Sequence, residues 1–72
     1  MAISSKARHD LTFRAIKREI SAGRDVAFWL DKAYTHLDNG LLTEDDIAEI
    51  EKLAQAYYDS LDAAENGGEN TI

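Results

Sequence analysis

Small and apolar residues recur along the chain at alternating intervals of three and four positions, which is the heptad spacing of packed α-helices. A first series consists of Phe13, Ile16, Ile20, Gly23, Ala27, Leu30, Tyr34 and Leu37. A second series consists of Ile47, Ile50, Ala54, Tyr57, Leu61 and Ala64. The chain contains no proline, and its apolar residues do not alternate at the period of two that strands require. The spacing therefore predicts an all-α fold.

Two glycines divide these heptad series into separate predicted helices. Gly23 and Gly40 each follow a helical stretch, and glycine often ends a helix because it tolerates a positive φ. We expect Ser4 or Ser5 to cap the first helix and Asp25 to cap the second. The result is a small three-helix bundle with helices at about residues 5–22, 25–38 and 44–64.

An alternative architecture keeps Gly23 inside one long helix. The first heptad series passes through this glycine without a change of rhythm, so a hairpin of two long helices also satisfies the pattern. In this pattern the chain resembles plasmid copy-number regulators of the Rop type, and the resemblance implies a hairpin that pairs into a four-helix dimer. A glycine inside a helix costs about 1 kcal/mol relative to alanine. Because "SAGRD" also supplies both a stop and a new cap, we favour three helices.

Length and composition limit the stability and the location of the protein. A 72-residue chain without cysteine forms no disulfide, and domains of this size bury only about 60% of their unfolded surface. We therefore expect a homodimer, whose interface would add to the buried area. We also expect one domain, residues 1–65, and a disordered tail, residues 66–72, which includes two adjacent glycines. No run approaches the roughly 18 apolar residues of a membrane span, so we expect a cytoplasmic protein without membrane contact.

The segment "LDNGLLTEDD" has features of a calcium loop, of a helix-turn-helix and of a plain corner between helices. A calcium loop aligned on Gly40 would place Leu37 at a ligand position, and a hydrocarbon side chain binds no calcium. A DNA-reading helix would begin here with three acids, which repel phosphates. The corner interpretation remains, in which Gly40 ends one helix while Thr43 and Asp46 form a capping box for the next.

Side chains suited to catalysis or metal binding are few in this sequence. His9 and His36 lack a second histidine at metal-ligand spacing. No serine lies in the context of a nucleophile elbow, and the glycines do not cluster at phosphate-loop spacing. We therefore expect a protein without enzymatic activity, metal or cofactor.

Charge is unevenly distributed over a chain whose net charge is −6. Residues 1–24 hold six basic and two acidic residues, a net charge of +4, whereas residues 25–72 hold two basic and twelve acidic residues, a net charge of −10. The first helix is therefore expected to pair with the acidic remainder, within one chain or between two. Its basic stripe, Arg14, Lys17 and Arg18, would bind nucleic acid weakly and in a salt-sensitive manner.

Two adjacent aromatic pairs, Phe28–Trp29 and Tyr57–Tyr58, are candidates for a binding surface. Neighbouring helical residues point about 100° apart, so one member of each pair is expected near the surface. If the heptad series face the core, Leu30 and Tyr57 point inward while Trp29 and Tyr58 approach the solvent. Tryptophan and tyrosine often dominate the energy of protein interfaces.

These features predict a small acidic protein that regulates or inhibits another protein by binding it. The candidate binding residues are Trp29, Tyr58, Glu44, Asp45, Asp46, Glu49 and Glu51. In a more specific hypothesis, the acids of the third helix imitate a row of phosphates and occupy a nucleic-acid-binding protein, as small inhibitors encoded by phages and other mobile elements do. Two alternatives are a nucleic-acid-binding module that uses the basic stripe and a structural subunit that only self-assembles.

Overall fold

The computed structural model describes the backbone of residues 4–70 and the side chains of residues 4–64. Three helices, α1 (Ser5–Ser21), α2 (Val26–Asp38) and α3 (Glu44–Asn70), make up this part of the chain. Each helix contacts both of the others. The predicted all-α three-helix bundle is therefore confirmed.

The break between α1 and α2 excludes the long-hairpin alternative. Gly23 has φ +73° and donates its N–H to the carbonyl of Ile20 at 3.0 Å, while Arg24 donates to Glu19 at 3.0 Å. This pair of bonds is the Schellman motif, in which a left-handed residue ends a helix and satisfies its last carbonyls. Beyond the break, Ala27 and Tyr34 of the first heptad series are exposed. The series therefore does not continue as one buried stripe.

The corner between α2 and α3 follows the predicted interpretation of "LDNGLLTEDD". Gly40 has φ +84° and donates to Leu37 at 3.1 Å, which ends α2. Thr43 donates its N–H to Oδ2 of Asp46 at 3.0 Å, and Asp46 donates its N–H to Oγ1 of Thr43 at 3.2 Å. These reciprocal bonds are the capping box of α3. Leu42, between the stop and the cap, is buried in the core.

The caps of α1 and α2 differ in kind. Ser4 caps α1 as predicted, since its hydroxyl accepts the N–H of Ala7 at 3.1 Å. Asp25 precedes α2, but its side chain makes no capping hydrogen bond within the described residues, so that prediction was wrong. The reason is its left-handed backbone, φ 47° and ψ 48°, because a capping side chain needs an extended backbone to reach the next amides. The Asp25 carbonyl instead accepts the N–H of Trp29 at 3.0 Å.

The core lies where the three helices meet. Its buried side chains are Ile16, Ile20, Val26, Ala33, Leu42, Ile47, Ile50 and Ala54. Trp29, Leu30 and Tyr57 are half-buried and pack against it. The core side chains of α3 lie in its first three turns, whereas Leu61 and Ala64 are exposed. The part of α3 after Tyr58 therefore adds little to the core.

The α3 helix reaches Asn70, past the predicted end near residue 64. Residues 71–72 of the predicted tail lie outside the described residues, and the disorder predicted for residues 66–72 stays a prediction. Within residues 4–70, no helix combines the length and the apolar character needed to cross a membrane.

Candidate protein-binding face

A shallow groove between α2 and α3 collects tyrosine, aliphatic and acidic side chains. We call it the α2–α3 groove, and its lining residues are Leu30, Tyr34, Glu51, Ala54, Gln55 and Tyr58. Leu30 and Tyr34 lie one turn apart on α2, and Ala54 and Tyr58 lie one turn apart on α3. Buried Ala54 forms the floor, because its small side chain leaves room between the helices.

The groove and its continuation along α3 expose large side chains to solvent. Tyr34 is 41% exposed, Tyr58 is 39% exposed, and Leu61, one turn beyond Tyr58, is 47% exposed. The other exposed large apolar side chains of residues 4–64 are Leu11 on α1 and Phe28 on α2. Three of the five therefore lie along one face, and such clusters on small proteins often mark interaction sites.

A hydrogen bond across the groove holds Tyr34 in place. The Tyr34 hydroxyl donates to Oε2 of Glu51 at 2.6 Å. This bond raises the pKa of Tyr34 above 10.0, with smaller contributions in the same direction from burial and from the Glu51 charge. Because the bond restrains the Tyr34 side chain in the free protein, packing of another molecule on this ring would cost less side-chain entropy.

The rim of the groove is acidic. On α2, Asp31 precedes Tyr34 by three positions and Asp38 follows it by four, so both lie beside it on the helix surface. On α3, Glu51 and Asp62 flank Tyr58 at a spacing of seven and four residues. The groove therefore presents two tyrosine rings next to the Glu51 carboxylate, with further acids on the same helix sides.

The predicted row of acids on α3 is divided among three faces. Glu44 and Glu51 precede Tyr58 by fourteen and seven residues, so they share its face along the helix. Glu49 points to α1, where its Oε2 accepts a hydrogen bond from Lys17 Nζ at 3.1 Å. Asp45 is exposed on a third face. Of these four acids, Glu44 and Glu51 thus accompany the predicted residue Tyr58.

Asp46, the fifth predicted acid, is engaged inside the chain. Besides its capping bond to Thr43, its Oδ2 lies 2.7 Å from Nε2 of His9 on α1, and its side chain is only 15% exposed. His9 Nδ1 lies 2.9 Å from Oδ1 of Asp10. With a carboxylate at each ring nitrogen, a doubly protonated His9 donates to both. The arrangement ties α1 to the start of α3.

The His9 contacts shift the pKa values of the groups involved. Hydrogen bonds to Asp10 and then to Asp46 raise the pKa of His9 above 6.5. Burial acts to raise the pKa of Asp46, but hydrogen bonds from Thr43 and His9 outweigh it and bring the pKa below 3.8. Between the pKa of Asp46 and the pKa of His9, His9 is charged and Asp46 is ionised, so the two side chains form a full ion pair.

We expect the stability of the protein to fall as pH rises through the raised pKa of His9. Protonated His9 stabilises the fold fully below pH 6.5, and this contribution is lost as the folded-state pKa is passed. The His9→Gln variant should show a flatter dependence of unfolding free energy on pH above 6.5 than the parent protein. Urea unfolding at several pH values measures this, with His36→Gln as the matched control. Equal slopes for the parent and His9→Gln would contradict the assignment.

The predicted basic stripe of α1 borders a different groove, between α1 and α3. Arg14, Lys17, Arg18 and Glu49 all line it. Lys17 is engaged twice, with Glu49 and with the ring of Phe13, whose centroid lies 4.1 Å from Nζ. Arg14 and Arg18 are exposed. Glu49 therefore neutralises part of the charge of the stripe, which weakens the attraction of the stripe for phosphates.

In each of the two aromatic pairs, one side chain packs against the core and the other is exposed to solvent. Tyr57 packs against the core and Tyr58 is exposed, as predicted. In the other pair Phe28 is exposed, whereas Trp29 is half-buried and packs against the core. The role of Trp29 as a binding residue stays a prediction, but the expectation that it points to the solvent was wrong. The reason is that Val26 and Ala33 are the buried residues of α2, and Trp29 lies one turn from each on the same side.

Sequence reasoning missed Tyr34 and Leu61 as surface residues because it assigned the whole heptad series to the core. A signal for Tyr34 was present in the sequence, namely the acids Asp31 and Asp38 beside it on the helix. Within the described residues, His, Asp and Glu side chains form no group of three or more suited to a metal ion. Comparison of the chain with protein-family models, with curated proteins and with solved structures finds no match.

Proposed function

We propose that this protein regulates or inhibits a partner protein by binding a basic region of it on the α2–α3 groove. The observation that carries the proposal is the exposure of Tyr34 and Tyr58 on the two sides of one groove with an acidic rim. Tyrosine contributes strongly to interface energy, and the surrounding acids favour a basic partner and repel an acidic one. In this proposal the protein acts in the cytoplasm without catalysis.

A more specific form of the proposal concerns phosphate mimicry. Glu44, Glu51 and Asp62 follow one face of α3, and a helix rise of 1.5 Å per residue sets the first two about 10 Å apart. A row of carboxylates beside exposed tyrosines suits the nucleic-acid-binding surface of a protein, which is rich in lysine and arginine. We propose such a surface as the target and inhibition of nucleic-acid binding as the effect, as in inhibitors encoded by phages.

Self-association is a separate proposal. A homodimer formed through the α2–α3 groove would bring two acidic rims together, which costs free energy, so the groove suits a different partner better than a second copy. The predicted homodimer therefore needs another face. Light scattering over a range of concentrations distinguishes a monomer from a dimer.

We expect the double variant Tyr34→Ala/Tyr58→Ala to bind the partner protein much more weakly than the parent protein does. Truncation of two interface tyrosines is expected to weaken binding at least about 30-fold, equivalent to about 2 kcal/mol. Affinity capture from cells that produce the protein, followed by quantitative mass spectrometry, compares the variant with the parent protein. Both side chains are substantially exposed, so helicity should be retained.

Leu11→Ala is the matched control, because Leu11 is an exposed apolar residue of α1. It should capture the same partner as the parent protein. If the double variant captures that partner as efficiently as Leu11→Ala does, the proposed binding face is wrong.

A further inference from the structure

The two sides of the α2–α3 groove carry apolar side chains at helical intervals. Ala27, Leu30 and Tyr34 follow one another along α2 at intervals of three and four, and Ala54, Tyr58 and Leu61 do so along α3. In a helix bundle, such positions on two neighbouring helices receive the side chains of a further helix. The groove thus has the surface pattern of a bundle that lacks one helix.

The backbone of the groove also favours a helix over an extended peptide. Its walls are two α-helices, whose N–H and C=O groups bond within each helix and leave no strand edge for an added strand. Binding must therefore rely on side chains. An amphipathic helix supplies apolar residues at matching intervals while it satisfies its own backbone groups.

The charge around the groove indicates which residues should flank the apolar stripe of the bound helix. One carboxylate, Glu51, lines the groove. By helical spacing, four more lie on the same sides of α2 and α3 as Tyr34 and Tyr58, namely Asp31, Asp38, Glu44 and Asp62. Two lysines lie near these carboxylates. Lys32 Nζ lies 5.5 Å from the centroid of the Phe28 ring, and Lys52 lines a neighbouring depression on α3 together with Glu49 and Glu51. Carboxylates therefore outnumber cations here. Lysine or arginine on both sides of the partner's apolar stripe would meet this acidic rim.

Among residues 4–64, a second copy of the chain does not supply such a helix. Its basic helix is α1, whose apolar residues Ile16 and Ile20 are buried in its own core. Helices α2 and α3 carry acids, which would repel the rim. Charge and burial therefore both favour a different protein.

We propose that the α2–α3 groove binds an amphipathic helix of the partner whose apolar stripe is flanked by lysine or arginine. This inference rests on the proposed function and names the partner's recognition element. From Glu51 to Asp62 the face extends about 16 Å, so it engages about three turns of the bound helix.

The test uses a synthetic peptide of about three heptads. Its fluorescein-labelled sequence has leucine at the heptad a and d positions, lysine at the flanking positions and alanine elsewhere. A scrambled peptide of the same composition keeps the charge and lacks the apolar stripe. Fluorescence anisotropy at physiological salt should show binding of the first peptide at least about tenfold tighter than that of the scrambled one.

Variants of the full chain locate the binding site. Tyr58→Ala and, independently, Asp62→Lys should each weaken binding of the amphipathic peptide about tenfold or more, whereas Leu11→Ala should leave it unchanged. Circular dichroism of each variant verifies the fold. Nuclear magnetic resonance should show the largest peptide-induced shifts at Leu30, Tyr34 and Ala54.

Three results would overturn the inference: equal binding of the scrambled peptide, unchanged binding by both Tyr58→Ala and Asp62→Lys, or peptide-induced shifts confined to α1. A failure here is distinguishable from a failure of the proposed function. If the peptide does not bind but capture of a natural partner still requires Tyr34 and Tyr58, the groove binds a protein in another conformation. If capture is also independent of the two tyrosines, the binding face itself is wrong.

Discussion

Replacement of Ile50 by alanine is expected to destabilise the bundle by about 2–5 kcal/mol. Ile50 is fully buried in the second turn of α3, in a core that includes Ile16 and Ile20 of α1. Truncation removes apolar contacts and leaves a cavity. Because small domains have a total stability of only about 5–15 kcal/mol, the variant should be partly unfolded at moderate temperature. Urea unfolding followed by far-ultraviolet circular dichroism measures the loss.

Leu61→Ala is the matched control for Ile50→Ala, since both residues belong to the second heptad series of α3. Leu61 is 47% exposed, so its truncation should change the unfolding free energy by no more than about 0.5 kcal/mol. Equal destabilisation by the two variants would show that the core extends along α3 as far as Leu61.

Gly23→Ala is expected to destabilise the protein by more than Gly40→Ala. Both glycines have a positive φ, at which alanine costs about 1–2 kcal/mol. A Cβ at Gly23 would also lie 2.9 Å from Cε1 of Tyr57, whereas one at Gly40 would have no neighbour within 4 Å. Displacement of the Tyr57 ring adds about 1–3 kcal/mol at Gly23 alone. Thermal or urea unfolding of the two variants measures the difference.

A Tyr57→Ala background isolates the contact between Gly23 and the ring. Without the ring, Gly23→Ala and Gly40→Ala should have similar costs, because only the backbone term remains. A difference that persists without Tyr57 would assign the larger cost at Gly23 to the backbone of the turn.

Local chemistry made the ends of α1 and α2 and the start of α3 predictable from the sequence. The positive φ of Gly23 and Gly40 and the capping box of Thr43 and Asp46 depend on residues within a few positions of each other. The Asp25 cap was not predictable in the same way. Asp25, like Gly23, has a left-handed backbone. This conformation depends on the path that the chain takes from α1 to α2, which the local sequence does not specify.

The burial of individual residues was harder to predict because it depends on how the helices pack. The heptad pattern identifies an apolar stripe, but only tertiary packing decides whether a third helix covers it. On α2 the core takes Val26 and Ala33 and leaves Ala27 and Tyr34 of the stripe exposed. The groove is lined by Tyr34 because this residue of the heptad series is not covered by a third helix.

The division of the acids depends on long-range contacts. His9 binds Asp46 across 37 positions of sequence, and Lys17 binds Glu49 across 32. The predicted pairing of α1 with the acidic remainder therefore occurs within the chain at these two points. Glu44 and Glu51 remain along the face of Tyr58. The sequence does not show which acids pair with α1 and which lie beside the groove. The candidate site could therefore be identified only from the structure.

The most direct test of the α2–α3 groove is the dissociation constant of the captured partner, measured by calorimetry with three forms of the protein. We expect tight binding by the parent protein and binding at least about 30-fold weaker by Tyr34→Ala/Tyr58→Ala. We expect unchanged binding by Arg14→Ala/Arg18→Ala, which alters only the basic stripe. Unchanged affinity of the tyrosine variant, together with lost affinity of the arginine variant, would rule out the α2–α3 groove and place the interface on α1.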